Sequence, residues 1–228
     1  MITNAGTSIR VTGVDACRGG WVAVEFDRPG VAAVRVAASL ASLLPRCDPS
    51  LVVAIDMPLG LAESGWREAD LLARGLLGPR RSSVFAIPPR AVWAEPDYAA
   101  ASRRCRELTG KGFSAQTWGL RVKLLEANAY RETCRHRLYE VHPELSFGAM
   151  AGGPLWESKH TAAGRGLRRD LLDAAGIAVP AVPAGLLGDV LDAAAVAWSA
   201  RRIAAGRAVT IPGRPQADAR GREIAIRY

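Results

Sequence analysis

Two apolar runs that each break off at an aspartate constrain this chain more than any other feature. The first, Val11-Thr12-Gly13-Val14-Asp15-Ala16-Cys17, passes through Arg18-Gly19-Gly20 into a second extended run, Trp21-Val22-Ala23-Val24-Glu25-Phe26. β-Branched residues on both sides of a glycine-bearing turn predict a hairpin over residues 9–26. The other run, Leu51-Val52-Val53-Ala54-Ile55-Asp56, is continuous and of strand length, as expected of a strand covered on both faces, and Pro58 and Gly60 stop it. A carboxylate at the end of an apolar strand is costly to desolvate. Turn capping accounts for either aspartate taken alone. Taken together, on strands that lie about 4.8 Å apart when adjacent, the two can share one divalent cation.

Residues 1–8 read as a frayed terminus. Val31–Ala37 supplies a third strand after the Arg28-Pro29-Gly30 turn, and Ser39 caps a short helix that ends before Pro45 or at Cys47. Residues 61–135 read as a polar, mostly helical insertion. In it, Trp66–Arg74 has helix-forming composition, and Arg67, Asp70 and Arg74 share a face that reads as solvated or salt-bridged. Residues 78–90 are too rich in Pro and Gly to be helical; Arg80, Arg81, Ser82, Ser83 and Arg90 are available there to phosphates, and Phe85 to pack or stack. Helices are expected over Asp97–Leu108 and Ser114–Arg137.

The strand pattern resumes at Leu138 and stops at Pro143, with Glu140 inside it and Glu144 just after it. His142, beside Pro143, reads as structural first and as a ligand or base second. Residues 152–166 read as a loop that exposes Lys159, His160 and Arg165, and a short helix follows over Leu167–Ala175. The last strong element is a helix over residues 184–205 in which Asp189 and Asp192 share a face with Ala193, Val196, Ala197 and Ala200. Complementing the helix dipole explains Asp189; it explains Asp192, inside the apolar stripe, less well. Ile224–Ile226 is expected as a short edge strand.

With 228 residues, 49% hydrophobic and 23% charged, the chain reads as one α/β domain over 9–228. It has no apolar run of membrane-spanning length, and Met1–Arg10 lacks a signal-peptide core, so a cytoplasmic protein is expected. Its four scattered cysteines form no CxxC pair, which argues against a disulfide framework or a structural zinc site, and Cys17 reads as a small buried filler. A net charge of +8 suits a polyanionic partner, although the basic residues are overwhelmingly arginine, with lysine only at 111, 123 and 159. No GxxxxGK[ST] phosphate loop is present.

The segments GVDACRGGWV (13–22), AIDMPLGL (54–61), READLLARGLLGPRRSSVF (67–85), EVHPELSF (140–147), SKH with the later GLRRDLL (158–172) and DVLDAAAVAWSARR (189–202) together resemble domain-of-unknown-function family 429. Members of that family are regarded as predicted nucleases of the ribonuclease H-like fold. The resemblance implies a mixed central sheet flanked by helices, carrying the helical insertion. The terminal helix is similar to that of Holliday-junction resolvases, whose HxxDA-like motif here reads Asp189-Val190-Leu191-Asp192-Ala193. It implies Asp15, Asp56 and Asp192 as metal ligands, with Asp189 or Glu140 completing the site. Residues 38–47 contain no acid before Asp48, unlike the first helix of ribonuclease H itself, so a polynucleotide other than an RNA–DNA hybrid is expected.

The implied chemistry is two-metal phosphodiester hydrolysis, with carboxylates holding two Mg²⁺ or Mn²⁺ about 3.5–4 Å apart. Hard cations of this kind take oxygen ligands. Arg80, Arg81, Arg90 and Lys159 would position a nucleic-acid backbone. Two alternatives stand beside this reading. One is a non-catalytic nucleic-acid-binding or regulatory module. The other is a nucleotide-handling phosphotransferase of the actin-like branch, which usually duplicates the fold and carries glycine-rich phosphate loops.

Overall fold

A computed structural model describes residues 10–26, 30–44, 48, 49 and 51–228. The expected fraying of 1–8, the turn residues Arg28 and Pro29, and the helix end at Pro45 or Cys47 lie outside the described residues. The hairpin forms as expected: β1 (Val11–Cys17) pairs antiparallel with β2 (Gly20–Phe26), and Gly19 takes the turn at φ 81°. The third strand is split at Ala32. Gly30–Val31 (β3) pairs with Ile177–Ala178 (β7) in a separate ribbon, and Ala33–Ala37 (β4) pairs with β2. Ser39 Oγ accepts from the Ser42 N–H at 3.2 Å and starts α1 (Leu40–Leu43). The apolar run forms β5 (Val52–Ile55), buried along its whole length and parallel to β1.

Four α-helices lie between β5 and β6 (Arg137–Val141): α2 (Glu68–Leu77), α3 (Tyr98–Thr109), α4 (Ala115–Gly119) and α5 (Arg121–Thr133). The Pro- and Gly-rich stretch is partly helical after all, with 3₁₀ turns at Gly78–Ser83 and Arg90–Ala94. A 3₁₀ turn tolerates Pro79 because the first turn of a helix has no internal use for that N–H. The predicted helix over Ser114–Arg137 divides after Gly119 and stops at Thr133, since Arg137 already belongs to β6.

Pro143 does end β6, but it also opens α6 (Pro143–Ala151), a helix that the proline concealed. At the first helical position proline loses nothing and its φ is already helical. The next helix, α7 (Ala162–Ala174), begins before Leu167 because Thr161 Oγ1 caps it, accepting from the Gly164 N–H at 3.0 Å. The long helix α8 (Leu187–Ala204) follows. The chain closes through β8 (Thr210–Ala217) and β9 (Glu223–Arg227). The sheet order is β4-β2-β1-β5-β6-β9-β8, so the strand expected at an edge, Ile224–Ile226, is interior, and β8 takes the edge. Pro212 and Pro215 hide β8 in the sequence and are tolerated there because an edge strand has one row of N–H groups free of the ladder.

The alternation of the strands divides the core. Val11, Val22, Val24, Val52 and Ala54 face α8, whereas Val14, Trp21, Ala23, Val53 and Ile55 pack with Leu40 and Leu43 of α1 and Leu124 and Ala127 of α5. Helix α8 lies directly on β1. A Cβ on Gly13 would fall 2.1 Å from the Ala193 carbonyl oxygen and 2.2 Å from the Ala197 nitrogen, a contact only glycine permits. Among the described residues, no helix is long and apolar enough to cross a membrane.

A candidate acidic active site

Strand parity delivers the two aspartates to one place. Asp15 lies two residues beyond Gly13 on β1, hence on the face covered by α8. On β5 the register pairs Gly13 with Ala54 and Val14 with Ile55, and the Asp56 N–H then donates to the Val14 carbonyl at 2.8 Å. Asp56 therefore follows Ala54 onto the same face, beside Asp15. Because Ala193 of α8 sits against Gly13, the preceding residue, Asp192, is carried to the strand ends. Its residue is only 3% exposed and that of Asp15 only 8%.

These acids meet one ammonium. Lys159, from the segment between α6 and α7, donates to Asp192 Oδ2 at 2.7 Å, and its charge also acts on Asp56 and Asp15. The aspartates and the lysine raise and lower one another in the way a shared cluster must. Burial pushes the Asp15 carboxyl well above its usual range, and the charges of Asp56 and Asp192 add to it against the pull of Lys159. Burial likewise brings Asp56 up to about 6, with Asp192 adding and with His142 and Lys159 opposing. The Lys159 ammonium rises in turn: burial lowers it, but its bond and charge contact with Asp192 prevail. Asp15 Oδ1 also accepts from the Ala16 N–H at 2.6 Å.

A cavity of about 190 Å³ opens here, lined by Asp15, Asp56, Lys159, His142, Ser83 and Phe85 among others. Asp189, one helical turn before Asp192, lines an adjoining cavity of about 180 Å³ with Lys159, His160 and Arg165. Lys159 is thus the wall common to both. Burial, then Asp192, raises the Asp189 carboxyl.

Glu140 lines the same cavity but turns to the other face of the sheet, toward Arg67 rather than toward the aspartates. Its register partner on β5 is Ile55, so it shares the face of Ile55, opposite to Asp15 and Asp56. Both of its oxygens lie 2.6 Å from Arg67 Nη2, and Oε2 also accepts from the Leu59 N–H at 2.7 Å. Of the predicted phosphate contacts, Lys159 alone touches the acids. Arg80 Nη2 stands 4.0 Å from Glu144, Arg81 is exposed, and Arg90 Nε donates to Glu63 at 2.8 Å.

Two guanidiniums are buried, and the sequence pattern marks neither as such. Arg67 is 0% exposed and holds Glu140 and Asp70; Arg168 is 1% exposed and donates to Glu144 at 2.7 and 2.9 Å. Arg67 belongs to the face it shares with Asp70 and Arg74, which is salt-bridged at Arg67 and Asp70 rather than solvated, and nothing local marks Arg168. Cys17 is free, and burial followed by Asp189 raises its thiol, the opposite of an activated nucleophile.

Among the described residues, no three His, Cys, Asp or Glu side chains are gathered so that they could hold a metal ion. Fold and cleft together define a mixed α/β protein, a central mixed sheet flanked by helices, with acids at the carboxyl ends of adjacent parallel strands. The chain belongs to the protein family of unknown function DUF429, whose profile matches residues 13–217. No curated protein and no solved structure matches it significantly.

Proposed function

We propose that this protein is a Mg²⁺- or Mn²⁺-dependent phosphodiesterase that acts on nucleic acid, a nuclease of ribonuclease H-like fold. The observation that carries the reading is the charge imbalance in the cleft: buried Asp15 and Asp192 and half-buried Asp56 gather around the ammonium of Lys159. Negative charge left over in a desolvated site is expensive unless a cation completes it. Carboxylate oxygens are the donors that hard divalent cations take, so the residues present fit the ion in chemistry. The order of hairpin, third strand, buried strand with a terminal Asp, and acid-bearing last helix supports the ribonuclease H-like reading.

Asp15 and Asp56 would hold the ion, with Asp192 joining them as Lys159 exchanges its carboxylate for a substrate phosphate. A bound ion of this type polarises the phosphoryl oxygen and acidifies water. Lys159, 38% exposed at its side chain, reaches both cavities and would orient the phosphodiester. Arg80 and Arg81, on the 3₁₀ turn that ends at Ser83 on the cleft wall, would carry the flanking backbone.

The test joins calorimetric titration with Mn²⁺ to cleavage of a panel of single-stranded, duplex and branched DNA and RNA. Asp15→Asn with Asp56→Asn should abolish both signals; cleavage that survives these substitutions belongs to another site. The ion pair between Lys159 and Asp192 favours one rival, a nucleic-acid-binding module in which the lysine is the permanent counter-ion. Metal-independent binding without cleavage would establish that rival.

A further inference from the structure

The cavity lined by Asp15, Asp56 and Lys159 is acidic only in part, and most of its wall is apolar. The division follows the strand ends. Asp15 lies on the face covered by α8, so Ala16, the next residue, lies on the other face. There it joins buried Met57 and half-buried Phe85 in the core that includes α1 and α5, and all three line the cavity. Leu120, at the start of α5, adds to the apolar wall. The cavity therefore crosses the carboxyl ends of β1 and β5, with charge on one side and an apolar surface on the other. Phe85 is held in place by side chains that fix the backbone around it. Arg74 Nη1 donates to the Val84 carbonyl at 2.6 Å, His142 Nε2 lies 3.2 Å from the Ser83 carbonyl oxygen, and the Ile87 N–H donates to Asp70 Oδ2 at 2.9 Å. Trp93, Tyr98, Phe113 and Trp118 stack or tilt against one another, whereas no aromatic ring among the described residues meets Phe85. A half-buried ring on a pinned backbone, on a cavity wall and without an aromatic partner of its own, is a platform for a flat ring supplied from outside.

We propose that Phe85 stacks the nucleobase next to the scissile phosphate, and that the substrate is therefore a single strand or a nucleotide turned out of its helix, an inference that rests on the nuclease reading. A ligand that fills both halves of the cavity needs an anionic group for Lys159 and a flat, apolar body for the wall of Phe85, Met57 and Leu120. A nucleotide joins the two through one sugar. In a duplex both faces of a base are covered by its neighbours. Seating a base on Phe85 requires that it leave the stack, which a single strand or an unpaired position does cheaply and a paired position does not.

The test uses the full chain in chelator, where binding is read without cleavage. The probe is a short single strand of abasic nucleotides that carries one central 2-aminopurine, whose fluorescence is quenched by stacking. The wild type should quench it and bind it about 10-fold or more tighter than the wholly abasic strand. Phe85→Leu keeps an apolar side chain but offers no ring; with an unchanged melting temperature it should lose both the quenching and that advantage. Phe85→Tyr should keep both. With Mn²⁺, the wild type should cleave a single strand or an unpaired bulge about 10-fold or more faster than a fully paired duplex. Equal affinity for the wholly abasic strand, or a Leu variant that quenches as the wild type does, overturns the base seat and leaves the hydrolase reading standing. Faster cleavage of the paired duplex does the same. A wild type that quenches through Phe85 yet cleaves nothing on the Mn²⁺ panel overturns the hydrolase reading and keeps the seat. A chain that binds neither strand overturns the seat together with the nucleic-acid reading.

Discussion

Buried and half-buried carboxylates sit in two settings in this protein, and the settings differ in how their charge is met. On the insertion side of the sheet, Glu140 has Arg67 and the Leu59 N–H, while Asp70 lies 3.4 Å from Arg67 and accepts from the Ile87 N–H at 2.9 Å. Glu144 has Arg168 to itself as a close partner. On the α8 side, Asp15, Asp56 and Asp192 share Lys159. Here each buried carboxylate has a guanidinium at hand, Arg67 serving Glu140 and Asp70 together with backbone N–H groups and Arg168 serving Glu144. A lysine spread over an excess of acids is open, and it has two ways to close: protonate a carboxyl or admit a cation. Asp15 and Asp56 line one cavity with Asp70, Glu140 and Glu144, so the difference lies in the counter-charge: acids answered by buried guanidiniums mark structure, and acids left to share one lysine mark a site.

Removing a matched guanidinium should have the largest effect. Arg67→Met and Arg168→Met each strand a buried carboxylate, and urea unfolding should show a loss of about 3–5 kcal/mol. A loss under about 1 kcal/mol would erase the distinction between the two settings. Next comes Lys159→Met, which strips Asp192 of its ammonium and should cost about 2 kcal/mol in the presence of chelator. Millimolar Mn²⁺ should restore part of that loss if the open cluster takes a cation; thermal melting with and without the ion reads the difference.

Asp56 gives a smaller, pH-dependent effect. Its folded-state pKa is raised to about 6 from an ordinary value of 3.8, by burial first. Its contribution to stability is therefore complete below the unfolded value and is lost as pH rises through about 6. Without metal, the wild type should lose on the order of 1.5 kcal/mol between pH 5 and pH 8 that Asp56→Asn does not lose. Parallel loss in both proteins would remove Asp56 from the unmatched group. The smallest effect belongs to the exposed pair of Arg90 and Glu63. Arg90→Ala should change stability by less than about 0.5 kcal/mol.

What could be read from the chain beforehand follows the range of the interactions involved. The hairpin is visible because β-branched runs and a glycine turn act within a few residues, and β5 because burial on both faces leaves a continuous apolar run. Asp192 stood out because it interrupts the apolar stripe of its own helix. Glu140 stood out for the same reason on its strand, yet it belongs elsewhere. Its face depends on the pairing of Glu140 with Ile55, and a shift of one residue in that register would have turned it toward α8. Lys159 was one exposed cation among several until the fold brought it to Asp192, thirty-three residues along the chain.

By itself, the sequence determined the local elements and their terminal acids: the strand ending at Asp15, the strand running into Asp56, and the last helix with its two aspartates. Periodicity, propensity and turn chemistry suffice for these because they are properties of neighbouring residues. Only the tertiary structure decided which acids meet. It placed α8 on Gly13, made β9 an interior strand, turned Glu140 to Arg67, and set Lys159 against Asp192. The physical reason is that register, facing and charge neutralisation are settled between distant segments. A carboxylate becomes costly or useful only once those segments have closed around it.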